Sequence, residues 1–496
     1  MAEPNGETQG QVILVSNRGP VEYARRDGER TSARGNGGLV TALSGLASHL
    51  DDAVWICAAL SDEDMAVTRE HDGRSFAVEG DGEQGGLRVR MVELEPDAQH
   101  KYYAIIANPL LWFIQHYLWD LSYSPDITAR EIDAFDNGYV AVNARFADTV
   151  AEEVEARDGR ATVMVHDYHF YLVGARVRSR CPDVFLHHFV HIPWPHPDAW
   201  RVLPPSMREA MFSGLLGNDI VAFHSERYAR NFVLGCQEIG LMVNLDRLSV
   251  DVGGRTVIAQ WYPISVEPSQ IEATAKSAAV AEHVQRLAAK RREHLILRAD
   301  RADLSKNILR GFLAFDTLLD DHPELAGRVT FLALLQRSRE DVAEYVDYLD
   351  RIRRVVADVN LKHGTTDWQP IELNLEGGYG QVVAAYKLFD VLMVNAIFDG
   401  MNLVAKEAML VNESDGVLAL SENTGAYEEL GAFAITLYPF DVQQQADALF
   451  TALTMDRSER RDRRRACAAI VRENNVAKWL HEQLLDVRQL RAAERT

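Results

Sequence analysis

Cysteine is scarce in this chain. Four thiols, Cys57, Cys181, Cys236 and Cys467, are scattered over 496 residues. Their spacing fits neither a disulfide framework nor a thiolate metal cluster, so small buried thiols in a reducing compartment are expected. Long apolar runs are missing too. No stretch approaches the ~20 residues of a membrane span, and Met1–Gly10 is polar with no apolar signal core, which points to a cytoplasmic protein with a disordered tail over residues 1–10. Basic residues are in deficit: 52 Lys and Arg face 73 Asp and Glu, a formal charge of −21. Such a balance repels nucleic acid and anionic membrane, and neither is an expected partner. An anionic substrate would need a few well-placed Arg and Lys side chains. What is present, 47% hydrophobic and 25% charged residues, is the composition of a globular protein. The length exceeds one core, so two or three domains are expected.

Short apolar, β-branched runs recur along the chain, each ending in a polar cluster. Gln11–Ser16 exits into Ser16-Asn17-Arg18-Gly19-Pro20, and Ala53–Ala59 and Leu87–Leu94 read as further strands. Ala161–Val165 exits into His166-Asp167-Tyr168-His169, Val184–Val190 into His191-Ile192-Pro193-Trp194-Pro195, and Ile220–Phe223 into His224-Ser225-Glu226-Arg227. Strands alternating with helical patterns predict a parallel α/β architecture, whose ligands gather at the C-terminal strand ends. Arg34-Gly35-Asn36-Gly37-Gly38-Leu39 is a Gly-rich turn before a helical pattern over Val40–Leu50. Such a turn lets backbone approach a phosphate or sugar, although its glycines alone could be purely conformational. The aromatics Tyr102, Tyr103, Trp112, Phe113, Tyr117 and Trp119 suit either a core or a sugar-stacking wall. His166, His169, His187, His188, His191 and His196 are crowded, but no ligand spacing emerges. Strand-end hydrogen bonding suits them better, and no metal is expected.

Around Val257–Pro268 periodicity fades and prolines appear, which suggests a crossing between two lobes. A second series of strands then begins at His294–Leu297. It exits into Arg298–Asn307, where Arg301 and Lys306 could clamp a diphosphate or form an ordinary charged loop. Val329–Leu335 exits into Gln336-Arg337-Ser338-Arg339. The apolar run Val391–Val394 leads to Asp399-Gly400-Met401-Asn402-Leu403-Val404-Ala405-Lys406-Glu407. A carboxylate at a strand exit, then a Gly and a helix start, suits a sugar-bearing anion, with Glu407 placed for a second polyol. An ordinary capped turn has the same spelling, so the rest of the chain must decide. Asp441–Arg495 is helical by composition.

Taken together, SNRGP at 16–20, GNGGL at 35–39, YY…W at 102–112, HDYH at 166–169, HIPWP at 191–195, RxDxxK at 301–306, SR at 338–339 and DGMNLVAKE at 399–407 resemble the trehalose-6-phosphate synthase family of retaining glycosyltransferases, in the family's order and over roughly residues 11–490. The resemblance implies an α/β GT-B fold, with two Rossmann-like lobes whose parallel sheets face a central cleft. It divides the chain into an acceptor lobe over 11–262, a donor lobe over 263–470 and a final helix over 471–496 that crosses back to the first lobe. Implied partners are a nucleotide-diphosphate glucose (UDP-, ADP- or GDP-glucose) and glucose 6-phosphate, with no cofactor; a homo-oligomer is possible.

Residue by residue, the resemblance gives Arg301 and Lys306 to the donor diphosphate. Asp399, with the backbone of Gly400, Met401, Asn402 and Leu403, goes to the donor sugar, Glu407 to the ribose, and Gly38 to the donor phosphates. His191 would contact and orient the transferred glucose. Arg18, Tyr103 and Arg339 would grip the phosphate of glucose 6-phosphate, and Asp167 and Trp112 would position its sugar. Three positions depart from the family pattern: Ala58 stands where a second Trp is frequent, Asn307 where Gly is common, and Phe398 where Arg is common. They leave open a related transferase using another phosphorylated acceptor, of the glucosylglycerol-phosphate or validoxylamine-phosphate synthase type. A catalytically silent sugar-phosphate sensor is the reading from a different class, but the intact acidic and cationic positions speak against it.

Overall fold

The computed structural model describes residues 11–26, 28–35, 40, 43–44, 53–78, 87–340 and 342–494. The chain divides into two compact units. One comprises residues up to Tyr262 together with those from Trp479 on; the other comprises Pro263–Lys478. No helix among the described residues is long and apolar enough to cross a membrane.

In the first unit, ten described strands form one sheet. Its order is Val243–Asn244, Ser249–Val252, Arg255–Trp261, Ile220–Phe223, Phe185–Phe189, Thr162–His166, Val12–Val15, Ala53–Ala58, Leu87–Val92 and Phe76–Ala77. The strands from Arg255–Trp261 to Leu87–Val92 run parallel; the edges are antiparallel. VILV, AVWICA and IVAF are buried at every position. Continuous apolar burial is what a parallel sheet covered on both faces requires.

Two stretches differ from the sequence expectation. The polar excursion after Pro20 is an antiparallel hairpin, Val21–Arg26 against Glu29–Arg34. Its charged residues hide the strand pattern, and Arg25 and Arg30 are tied to Glu63 instead of a core. The fading pattern at Val257 is also a strand, since Arg255–Trp261 pairs in parallel with Ile220–Phe223. Only Val257 and Ala259 of it are fully buried, which blurs its periodicity. Gln260 and the Tyr262 hydroxyl both donate to Asp486, at 3.0 and 2.6 Å, on the helix Val476–Glu494.

The second unit is a six-stranded parallel sheet in the order Ile371–Asn374, Val329–Gln336, His294–Arg301, Val391–Val394, Val417–Ser421 and Ile435–Leu437. Phe312 and Phe315, on the helix Ile308–Asp321, meet Phe331 edge-on at 5.3 and 5.4 Å. The edge strand Ile371–Asn374 carries Glu372 and Asn374 and gave no sequence signal.

At the opposite end of this sheet from its strand exits, Asp390 is a buried carboxylate with several donors. It accepts from Arg291 at 2.6 Å, from the backbone of Leu295 at 2.8 Å and from Arg460 at 2.9 Å. Removing it would strand two cations and a strand amide. We expect Asp390→Ala to lower stability by about 3–5 kcal/mol, read from urea unfolding followed by tryptophan fluorescence; a change below 1 kcal/mol would show the clamp to be dispensable.

Candidate active site

In the second unit the exits of three parallel strands converge through named contacts. The strand His294–Arg301 runs on into a short turn, Leu304–Lys306, and the helix Ile308–Asp321. Lys306 reaches across and makes a short ion pair with Asp399. Asn402 donates to the same carboxylate oxygen at 3.1 Å, while its own Oδ1 caps the helix Leu403–Val411 by accepting from Ala405 N at 3.0 Å. The Asp399 loop is sewn to the turn after Val417–Ser421: Asp399 N donates to Asn423 O, Gly425 N to Asp399 O, and Ala426 N to Met401 O, at 2.9–3.1 Å. Gly425 has to be glycine, because a Cβ there would lie 2.1 Å from Gly400 O. The backbone of Gly400–Leu403 is therefore held by its neighbours before any ligand arrives.

Asn307 resolves one of the departures. It is left-handed, at φ +56°, and buried. Its Nδ2 donates to Asn395 O and Pro439 O at 3.0 and 2.6 Å. Glycine and asparagine are the residues that tolerate this backbone region, so the exchange keeps the turn. The neighbouring cation, Arg298, is fully buried, bonded to Asn395 and 3.7 Å from Asp300.

The electrostatics single out three groups. Burial draws the Lys306 pKa down, but Asp399 and Asp300 outweigh it and the net shift is upward, so Lys306 stays charged. Burial pushes Asp300 up to about 6 despite Arg298 and Lys306. Burial also pushes Glu407 up to about 7, against long hydrogen bonds from the Tyr386 and Tyr379 hydroxyls at 3.4 and 3.5 Å. Lys406, one residue earlier, has a different fate. It is buried, donates to Ile264 O at 2.8 Å and pairs with Glu429 at 2.5 Å. Consecutive helix positions thus divide between anchoring the helix and offering a carboxylate.

Arg301 ends its strand with a side chain 44% exposed and Nη2 3.8 Å from Asp303. Arg339 is placed otherwise than a surface phosphate grip would suggest. Its side chain is buried, and Nη1 donates to Asp303 at 3.0 Å and to the Tyr345 hydroxyl.

The first unit gathers a separate group. Arg18 is half exposed, 3.6 Å from Glu22. Its loop is fixed by Ser16, which accepts from Trp55 Nε1 at 2.7 Å, and by Asn17, which accepts from the Tyr102 hydroxyl at 3.0 Å. Asp167 holds a backbone conformation rare outside glycine, φ +77° and ψ 173°. Its Oδ1 accepts from the His191 amide at 3.1 Å. Strain of this kind collects at functional sites. Trp112 is buried and stacks on His116 at 4.0 Å; Tyr103 lies parallel to His169 at 6.0 Å. Gly38 lies outside the described residues. Among the described residues, one His and carboxylate group could hold a metal, Asp316, Asp320 and His363, and it shares no residue with either of these sites.

A model of glycosyltransferase family 20 matches residues 10–489. The chain belongs to glycosyltransferase family 20. Its relatives in this trehalose-6-phosphate synthase family include a UDP-forming α,α-trehalose-phosphate synthase of Botryotinia fuckeliana, 30% identical over 462 residues, covering 92% of this chain and 84% of the relative. Another is synthase A of Dictyostelium discoideum, 29% identical over 477 residues; the match covers 95% of this chain but only 61% of that longer protein. Among solved structures, a Burkholderia xenovorans UDP-forming synthase in complex with glucose-6-phosphate superposes with a TM-score of 0.81 at 28% identity, over 97% of this chain and all of that one. An E. coli structure bound with UDP-2-fluoro glucose gives 0.82 at 26% identity, over 97% of this chain and 99% of that chain. The family 20 fold is GT-B-like, two α/β lobes built on parallel sheets, and that is the fold of this chain.

Sequence reasoning overlooked Asp300, Asp303 and the tyrosines beside Glu407. Their signal was weak, since each is one ordinary polar residue whose meaning depends on its partner. Glu407 gives a directional test. Its folded pKa is raised above the unfolded value near 4.5, so the penalty for ionising it in the folded state is absent below pH 4.5 and complete above about pH 7. We expect Glu407→Gln to stabilise the free protein at pH 8 by about 1–2 kcal/mol and to leave it unchanged at pH 4. Thermal unfolding at the two pH values checks this.

Proposed function

We propose that this family 20 protein is an α,α-trehalose-6-phosphate synthase, transferring glucose with retention from a nucleotide-diphosphate glucose to glucose 6-phosphate. The observation that carries this reading is the intact donor loop: Asp399 pinned at a strand exit, Lys306 held against it, and Glu407 one helical turn on. Asp399 and the backbone of Gly400, Met401, Asn402 and Leu403 would bind the glucose hydroxyls. Glu407 would accept from the ribose hydroxyls, with both oxygens free to accept only in its ionised form. Lys306 and Arg301 would hold the diphosphate, and Gly38 would let it approach. Arg18, Tyr103 and Arg339 would take the acceptor phosphate. Asp167 and Trp112 would seat the acceptor sugar, and His191 would orient the transferred glucose.

The chemistry asks for no protein nucleophile. The acceptor hydroxyl attacks the anomeric carbon on the face from which the diphosphate leaves, and the departing phosphate oxygen takes the acceptor proton. Charge builds on the diphosphate as the bond breaks. A lysine already desolvated and already positive stabilises that charge with little reorganisation. The names of similar proteins, UDP-forming synthases and a structure with glucose-6-phosphate, support the same substrate classes.

The test is nucleotide diphosphate release from UDP-, ADP- and GDP-glucose, each with and without glucose 6-phosphate, with products weighed by mass spectrometry. Release that depends on glucose 6-phosphate and yields a disaccharide phosphate is expected. Release with a glycerol or cyclitol phosphate instead would point to another acceptor, and binding without release would point to a sensor. Lys306→Ala should lower kcat by about 10²–10³-fold and change donor KM only a few-fold; equal losses in both would place Lys306 in ground-state binding.

A further inference from the structure

His166 opens the HDYH motif, yet none of the roles above uses it. It ends the strand Thr162–His166 and is fully buried. His191 lies two residues beyond the end of the neighbouring strand, Phe185–Phe189, which pairs with it in parallel. The two rings meet: His166 Nδ1 and His191 Nε2 are 3.0 Å apart, with centroids at 5.3 Å. The second ring nitrogen of His166, Nε2, is buried with no hydrogen-bond partner among the described residues. The His191 ring is held on its face by Phe189, at 4.5 Å and 26°, and its amide is held by Asp167.

A hydrogen bond between two neutral imidazoles has two possible directions, and they are not equivalent here. Both rings are kept neutral, because burial draws the pKa of each well below the ordinary histidine value. If His191 donated, His166 would carry its proton on Nε2, leaving an orphaned buried N–H. If His166 donates from Nδ1, Nε2 keeps only a lone pair, the cheaper group to leave unmet. The adjacent His188 shows the same economy. Its Nε2 must donate to Asp167 O, 3.1 Å away, because a carbonyl only accepts, and its Nδ1 is the atom left without a partner. With Nε2 of His191 accepting, the proton of that ring must sit on Nδ1.

We propose that His166 is a positioning residue for glucosyl transfer, fixing His191 as the Nδ1–H tautomer so that His191 presents a donor, not an acceptor, to an oxygen of the transferred glucose. This rests on the placing of His191 at that sugar under the proposed function. It also gives the first histidine of HDYH a task distinct from that of Asp167 beside it: Asp167 holds the His191 backbone, and His166 sets the proton on its ring.

The experiment is long-range proton–nitrogen correlation of the full chain, nitrogen-15 labelled at histidine, with the His191 signals identified by their loss in His191→Phe. Wild-type protein should show both His166 and His191 protonated on Nδ1. In His166→Phe the His191 pattern should move to Nε2–H or to a mixture, with kcat reduced about 10- to 100-fold and the KM for glucose 6-phosphate little changed. His166→Asn, whose amide can donate in place of Nδ1–H, should restore the Nδ1–H pattern and most of the turnover. A wild-type His191 protonated on Nε2 overturns the inference without recourse to any variant, as does a His191 tautomer indifferent to His166→Phe. A shifted tautomer with unchanged kcat overturns instead the placing of His191 at the transferred sugar.

Discussion

The ion pair between Lys306 and Asp399 is the contact on which the strand exits of the second unit depend. It joins the exits of two neighbouring parallel strands, His294–Arg301 and Val391–Val394. Around it Asn402 shares the carboxylate and caps a helix, Asn307 bends the chain into the helix Ile308–Asp321, and the turn after Val417–Ser421 fixes the loop backbone. A largely buried pair like this is a poor source of stability, because desolvation consumes much of the attraction. What it secures is position. A lysine with four rotatable bonds is held at a strand exit, largely out of solvent and charged, where an anionic ligand would need it.

This matters in a protein that carries a formal charge of −21. Bulk electrostatics would oppose a phosphate-bearing substrate, whose binding would have to come from a few local cations. Arg301 and Lys306 come from one strand exit, and Arg18 comes from the loop after Val12–Val15. Their environments differ. Lys306 is committed and only 15% exposed, whereas Arg301 and Arg18 stand about half exposed. Arg339 is committed too, to Asp303. Burial likewise separates the carboxyls of the donor half. Asp399 has cationic and amide partners, while Asp300 and Glu407 are pushed toward neutrality.

The parallel strands were legible because a strand covered on both faces is an uninterrupted apolar run, as in VILV and IVAF. Strands exposed on one face or at an edge were not: Val21–Arg26 reads as charge, Arg255–Trp261 as lost periodicity, and Ile371–Asn374 as a polar link. The motifs marked the residue types at the strand exits, but not the commitments of the side chains. DGMNLVAKE does not reveal that Lys406 is spent on Ile264 and Glu429, nor does SR reveal that Arg339 faces Asp303. Asn307 looked like a departure because spelling was compared, whereas the left-handed backbone it adopts is one that glycine tolerates too. Such facts are tertiary, and they become visible only when the partner's position is known.

The most direct test of the account is a double-mutant cycle on Lys306 and Asp399, with kcat/KM for nucleotide-diphosphate glucose measured for wild type, Lys306→Met, Asp399→Asn and the double variant. If the pair acts as one unit in the donor half, the two losses will be non-additive by about 1–3 kcal/mol. Strict additivity would contradict the account, since each residue would then serve the donor independently of the other.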